Sequence, residues 1–267
     1  MALKVYIFKN NKELTTKTYN QLLTILNDKG FEVVEDESSS PDLYVCIGGD
    51  GTFLSFVHKL DFPSKPIIGI NTGHLGFFQE SMPDNMANII DDFLSGDYKI
   101  QTLKPVEAII ETKKESFIRI GVNELMIRGP LSHVTQFSVE IEKTKIEDFS
   151  GDGLLISTPA GSTAYNYSLG GSLVAPELDL LQITPVAPMN TNAYRCFHSS
   201  VLLPGNETIT ITGIGRMAEG TIILSFDGKT HEFKNVKRIR IRQSKKQLQL
   251  IRFSDYDYWD TLAKKLL

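Results

Sequence analysis

The sequence predicts an α/β plus all-β chain: an α/β domain over residues 1–100, a β-sandwich domain over residues 101–251, and a segment, 252–267, that docks back on the first domain. Three observations carry this. Up to about residue 98, apolar runs of strand length alternate with segments that are apolar at helical spacing, which implies a parallel, Rossmann-like sheet with covered faces. Beyond that point short alternating segments between turn residues take over, the texture of an antiparallel sandwich. The last residues return to a helical pattern, with Tyr258, Trp259, Leu262 and Leu266 on a face available for packing.

In order, Leu3 to Phe8 reads as a buried strand, and Glu13 to Lys29 as a helix presenting Leu14, Tyr19, Leu22, Leu23 and Leu26 before Gly30 stops it. Phe31 to Val34 is the next strand, and Tyr44 to Ile47 the third. Pro66 to Ile70 repeats the buried-strand pattern. Ser81 to Leu94 reads as a helix with Pro83 in its first turn and Gly96 beyond its end. Strands are then expected at Val106 to Glu111, Phe117 to Ile120, Val134 to Ile141, Leu154 to Ile156, Thr208 to Thr212, Thr221 to Phe226 and Val236 to Ile241.

Composition removes several function classes. At 267 residues, 41% apolar and 22% charged, each part can bury its own core, and a net charge of -4 offers no field for nucleic acid or an anionic membrane. The N-terminus enters a strand pattern directly and no apolar run is long enough to span a bilayer, so the expected location is cytoplasmic. Cys46 and Cys196 lie far apart without metal-ligand spacing and read as reduced core thiols. No protein-held metal site is expected.

Chemistry concentrates at strand ends. The third strand breaks into Gly48-Gly49-Asp50-Gly51-Thr52 before an apolar helix, and the fourth ends in Asn71-Thr72-Gly73-His74-Leu75-Gly76-Phe77-Phe78, so two glycine-rich loops should open on one edge of the sheet. Glycines let amides approach an anion at a helix N-terminus. A carboxylate among such amides repels phosphate unless it holds a cation or takes a proton from a hydroxyl. Asn123-Glu124 pairs an amide with a carboxylate, suited to gripping sugar and base edges. Gly151-Asp152-Gly153 then precedes an apolar strand ending in Ser157-Thr158-Pro159-Ala160-Gly161-Ser162-Thr163-Ala164-Tyr165. There Thr158, Ser162 and Thr163 can cap a short helix and offer hydroxyls, Ala164 leaves room for a planar ring, and Tyr165 can stack on it. A lipid kinase sharing the first turn and a non-catalytic dinucleotide sensor remain alternatives at this level.

Together and in this order, these four blocks resemble the NAD kinases of bacterial type. The resemblance implies phosphoryl transfer from ATP, another triphosphate or polyphosphate to the adenosine ribose 2′-hydroxyl of NAD, with Mg²⁺ or another divalent cation accompanying the donor. It implies a homodimer or homotetramer whose active site lies between domains and is completed by a neighbouring subunit. Asp50 would be the base, with Gly51 beside the dinucleotide. Asn123 and Glu124 would hold the adenosine end. Asp152, Thr163, Ala164, Tyr165 and Ser168 would bind the rest, with Phe77 packing nearby and Ala187 near a subunit contact. Ser150 stands where the family often has an arginine, so His58, Arg128 and Arg195 become candidates for the missing phosphate contact.

Overall fold

The computed structural model describes residues 2–130, 134–190 and 195–267. It divides into two compact units, residues 1–103 with 246–267, and residues 104–245.

The first unit begins with β1 (Lys4–Lys9), α1 (Glu13–Asp28) and β2 (Glu32–Val34), then β3 (Leu43–Gly48), α2 (Asp50–Lys59) and β4 (Pro66–Asn71). Gly30 takes a φ of 78° after α1, the left-handed conformation expected of a helix stop. β3 is buried along its length, which is why its sequence is continuously apolar rather than alternating. Helix α2 starts sooner than the glycine run suggested, with Gly49 as N-cap and Asp50 in the first turn. Of the motif's glycines, Gly48 is the one with no room, since a Cβ there would lie 2.3 Å from Thr52 Oγ1. The segment expected as one helix from Ser81 divides into a 3-10 turn at Pro83–Asn85 and α3 (Met86–Ser95), and β5 (Lys99–Leu103) follows.

The second unit holds β6 (Val106–Thr112), β7 (Ser116–Gly121), β8 (Glu124–Arg128), β9 (Thr135–Ile141), β10 (Thr144–Gly151) and β11 (Gly153–Ser157). A 3-10 turn at Ala160–Thr163 leads into the single-turn α4 (Tyr165–Ser168). Then come β12 (Leu180–Val186), β13 (Val201–Pro204), β14 (Ile209–Gly213), β15 (Ile222–Phe226), β16 (Lys229–Phe233) and β17 (Val236–Gln243). Two six-stranded antiparallel sheets, ordered β10-β9-β14-β17-β6-β7 and β13-β12-β11-β8-β15-β16, share one core. Val106, Ile110, Phe137 and Ile239 meet Leu125, Ile127, Leu154 and Leu224 in it. This is the expected sandwich, with strands the alternation did not announce: β8, β10, β12, β13 and β16.

The chain then rejoins the first unit earlier than residue 252. Leu248–Arg252 forms β18, parallel to β4 and antiparallel to β5, which completes a sheet of order β2-β1-β3-β4-β18-β5. Leu248 and Leu250 have no exposed surface, so the segment is an interior strand rather than a tail. Helix α5 (Tyr258–Leu266) ends the chain, capped by Asp257, whose carboxylate accepts the N–H groups of Trp259 and Asp260. Leu262 is its buried residue, whereas Trp259, expected to pack, is 60% exposed. Both cysteines are free and buried. Leu250→Ala should destabilise by about 2–5 kcal/mol, as deletion of a buried leucine side chain does. Urea unfolding monitored on the first unit checks this, and a change under about 0.5 kcal/mol would mean that β18 is dispensable.

Candidate active site

In the first unit the parallel pairing of β3 with β4 sets both glycine loops at one sheet edge, and the N–H of Thr72 donates to the carbonyl of Gly48 at 2.9 Å. Asn71 shapes its own loop: its Oδ1 accepts the N–H of Gly73 at 2.8 Å, and its Nδ2 donates to the carbonyl of His74 at 3.1 Å. The loop closes over Asp50. The N–H of Phe77 donates to both carboxylate oxygens at 3.1 Å, and that of Phe78 to Oδ1 at 3.1 Å. Gly76 is required by this contact, because a Cβ there would sit 2.3 Å from Asp50 Oδ1.

Two cations from the returning segment complete the arrangement. Lys265 Nζ donates to Asp50 Oδ2 at 2.8 Å and lies 4.5 Å from the Phe77 ring centroid. Arg252, 5% exposed, donates from Nη2 to the carbonyl of Phe77 at 2.6 Å, from Nη1 to Glu80 at 2.7 Å and from Nε to Gln101 at 2.8 Å. The carbonyl of Phe77 and the N–H of Phe78 belong to one peptide group. The guanidinium therefore polarises the same peptide whose N–H points at the carboxylate. Phe77 itself is buried, and its ring packs on Tyr258. Gly51 is exposed beside Asp50. His58 stands eight positions along α2, about 12 Å down the axis, with its ring edge-on to Phe62.

In the second unit Asn123 and Glu124 lead into β8, where Glu124 pairs with Ser157 across the sheet. Asp227 organises the stretch. Its Oδ2 and Oδ1 accept the N–H groups of Val122 and Asn123 at 2.7 and 2.9 Å. It sits in the two-residue turn Asp227-Gly228 between β15 and β16, an Asp-Gly hairpin signal that could have been read from the sequence. Burial first, and the charge of Asp227 second, push the Glu124 carboxyl up to about 7. Asn123 Oδ1 and Glu124 Oε2 are buried and have no protein partner among the described residues. Two such acceptors side by side are suited to ligand hydroxyl or amine donors.

The hydroxyl-rich turn corrects part of the expectation. Thr158 Oγ1 donates to the carbonyl of Val122 at 2.7 Å and accepts the N–H of Gly161, while Ser162 Oγ bridges the backbone of Val174. Both residues are buried, so their hydroxyls build the turn and are not offered to a ligand. Gly161 packs so tightly on this strand that a Cβ would fall 1.9 Å from the carbonyl of Asn123. Thr163 and Ala164 stay half-buried, Tyr165 is 46% exposed and Ser168 is exposed, so these four remain accessible. Asp152 and Ala187 are exposed as well. Ser150 is 4% exposed, its N–H directed at Cys196 Sγ and its carbonyl accepting the N–H of Met189. It is a strand residue without surface for a ligand. Arg128 ends β8 half-buried, and Arg195 is exposed.

The first unit thus carries a helix-start carboxylate under a glycine loop, and the second carries buried acceptors without protein partners among the described residues. Residues 32–98 match the ATP-NAD kinase N-terminal domain, and residues 122–253 match the ATP-NAD kinase C-terminal domain. The NAD kinase of Finegoldia magna is 34% identical over 99% of this chain and 97% of its own length. Among solved structures, yeast NADH kinase complexed with NADH aligns with a TM-score of 0.86 at 21% identity, covering 99% of this chain and 87% of that one. An NAD kinase from Archaeoglobus fulgidus in complex with ATP aligns at 0.78 and 19% identity over 98% and 99%. These two likenesses show the fold. The chain belongs to the NAD kinase family, enzymes that phosphorylate NAD to NADP.

The raised Glu124 carboxyl makes stability depend on pH. The folded protein binds this proton more tightly than the unfolded chain does, so the contribution is fully present below about pH 4.5 and is lost as pH rises through about 7. Glu124→Gln should flatten that slope, with a gain of the order of about 3 kcal/mol at most at pH 8. Chemical unfolding at pH 5 and pH 8 measures it, and equal slopes in both proteins would show that Glu124 is not protonated in this range.

Proposed function

We propose that this chain transfers the terminal phosphoryl group of ATP to the adenosine ribose 2′-hydroxyl of NAD, with Asp50 as general base. The observation that carries this reading is the Asp50 carboxylate, fixed by two loop amides and an ammonium at a glycine turn where phosphate would bind. A binding protein gains nothing from a negative group at such a turn, whereas phosphoryl transfer needs a proton acceptor there. As the ribose oxygen attacks phosphorus, its proton passes to Asp50, the bond from the terminal phosphorus to its bridging oxygen breaks, and the diphosphate leaves.

Asn123 and Glu124 hold the adenosine end, offering buried acceptors to hydroxyl or amine donors. Asp152, Thr163, Ala164, Tyr165 and Ser168 hold the remainder of the dinucleotide, with Gly51 and Phe77 beside the reacting end. Arg195, Arg128 and His58 are the candidates to meet phosphate in place of the arginine that Ser150 replaces. Among the described residues no group of three His, Cys, Asp or Glu side chains could hold a metal ion, and both oxygens of Asp50 are already engaged. A divalent cation enters as part of the donor substrate. ATP as donor is supported by the Archaeoglobus fulgidus relative, whose structure is a complex with ATP. Assembly as a homodimer or homotetramer is supported by Met189, two positions from Ala187 and 46% exposed, and by the equally exposed Phe197. A cytoplasmic location is supported by the lack, among the described residues, of any helix long and apolar enough to cross a membrane.

Purified protein with NAD, ATP and Mg²⁺ should form NADP, detected by an enzyme specific for it. Asp50→Asn should lower kcat by about 10²–10⁴-fold with NAD binding retained, the usual worth of a positioned base. NAD bound without NADP formation, with polyphosphate also tried, would turn the reading to a sensor. Tyr165→Ala should raise the KM for NAD by roughly tenfold with little change in kcat, the effect of losing a stacking contact. An unmoved KM would remove Tyr165 from the dinucleotide contact.

A further inference from the structure

We propose that Lys265, in the last helix of the chain, is a positioning residue for the base: it holds the Asp50 carboxylate in orientation and neutralises the charge which that carboxylate sets against phosphate. This rests on the reading of Asp50 as base. The geometry is specific. Lys265 Nζ lies 2.8 Å from Asp50 Oδ2, with side chains 29% and 27% exposed, so the pair is half withdrawn from water and stronger than an open surface pair. The same ammonium lies 4.5 Å from the centroid of the Phe77 ring, and the backbone N–H of Phe77 spans both oxygens of the same carboxylate. Two turns earlier in α5, Tyr258 packs on that ring at 5.9 Å. The helix thus grips Phe77 and reaches Asp50 in one contact.

Tyr258 apart, the apolar anchoring of α5 is slight. Leu262 is its buried residue, and Lys264 points elsewhere, into an exposed pair with Asp260 on its own helix. An ammonium also suits the task better than a guanidinium fork, because its three donors rotate and can turn between a carboxylate oxygen and an incoming phosphate without moving the stem. Both oxygens of Asp50 are amide-held and Oδ2 carries the ammonium as well, so Oδ2 can take up the proton of the attacking hydroxyl as Lys265 turns aside.

The experiment is a double-mutant cycle on the full chain with NAD, ATP and Mg²⁺. Lys265→Met should lower kcat roughly tenfold while the KM for NAD stays within about twofold, Lys265→Arg should recover most of the loss, and Lys264→Met should match the unmodified protein. In an Asp50→Asn background, Lys265→Met should cost nothing further. An unchanged kcat in Lys265→Met overturns the proposal. So does the same fractional loss in both backgrounds, which would mean that Lys265 acts on the donor phosphates or on folding rather than through Asp50. Full turnover in Asp50→Asn alone would instead defeat the general-base reading, so the two failures are distinguishable.

Discussion

A carboxylate placed at a phosphate-type turn must be held by donors, and the first unit is built around meeting that demand for Asp50. Its oxygens take the N–H groups of Phe77 and Phe78 and the ammonium of Lys265. For those amides to face it, the loop after β4 must fold back tightly, which Gly76 permits and the side chain of Asn71 enforces. For the loop to stay folded, the carbonyl of Phe77 needs a donor, and Arg252 supplies one from within the sheet. Arg252 can do so because β18 lies between β4 and β5. The interior strand, the buried arginine and the terminal helix thus converge on one side chain.

The second unit shows the complementary situation, a polar cluster whose acceptors exceed its donors. Asp227 uses both oxygens on the backbone of Val122 and Asn123, and Thr158 ties the neighbouring turn to the same strand. That fixes Asn123 and Glu124 without satisfying them. Burial beside a second carboxylate then raises the Glu124 carboxyl toward neutrality, as expected where desolvation and a like charge act together. Unsatisfied buried acceptors are costly to a folded protein.

Much of this was legible beforehand. The helical period of α1, the continuous apolar run of β3, the glycine turn into α2 and the alternating strands from Val106 onward are local patterns, set by side-chain direction and backbone freedom within a few residues. The family resemblance placed Asp50, Asn123, Glu124 and the loop at Tyr165 in their respective units. Where the local pattern had two meanings, the sequence misled: hydroxyls at Thr158 and Ser162 read as groups that could be offered to a ligand but are consumed by the turn, and Trp259 read as a packing residue but faces solvent.

What the sequence by itself determined was therefore the helices and the strongly patterned strands, the two-part organisation and the chemistry-bearing loops, because each is encoded by residues adjacent in the chain. What only the tertiary structure decided was the partnership around Asp50 and Glu124. Lys265 is 215 residues from Asp50, Arg252 is 175 from Phe77, and Asp227 is 104 from Asn123. No periodicity or propensity spans such separations. A lysine near the end of an exposed helix carries the same local signal whether it meets solvent or a catalytic carboxylate, and only the register of β18 in its sheet and the docking of α5 distinguish the two.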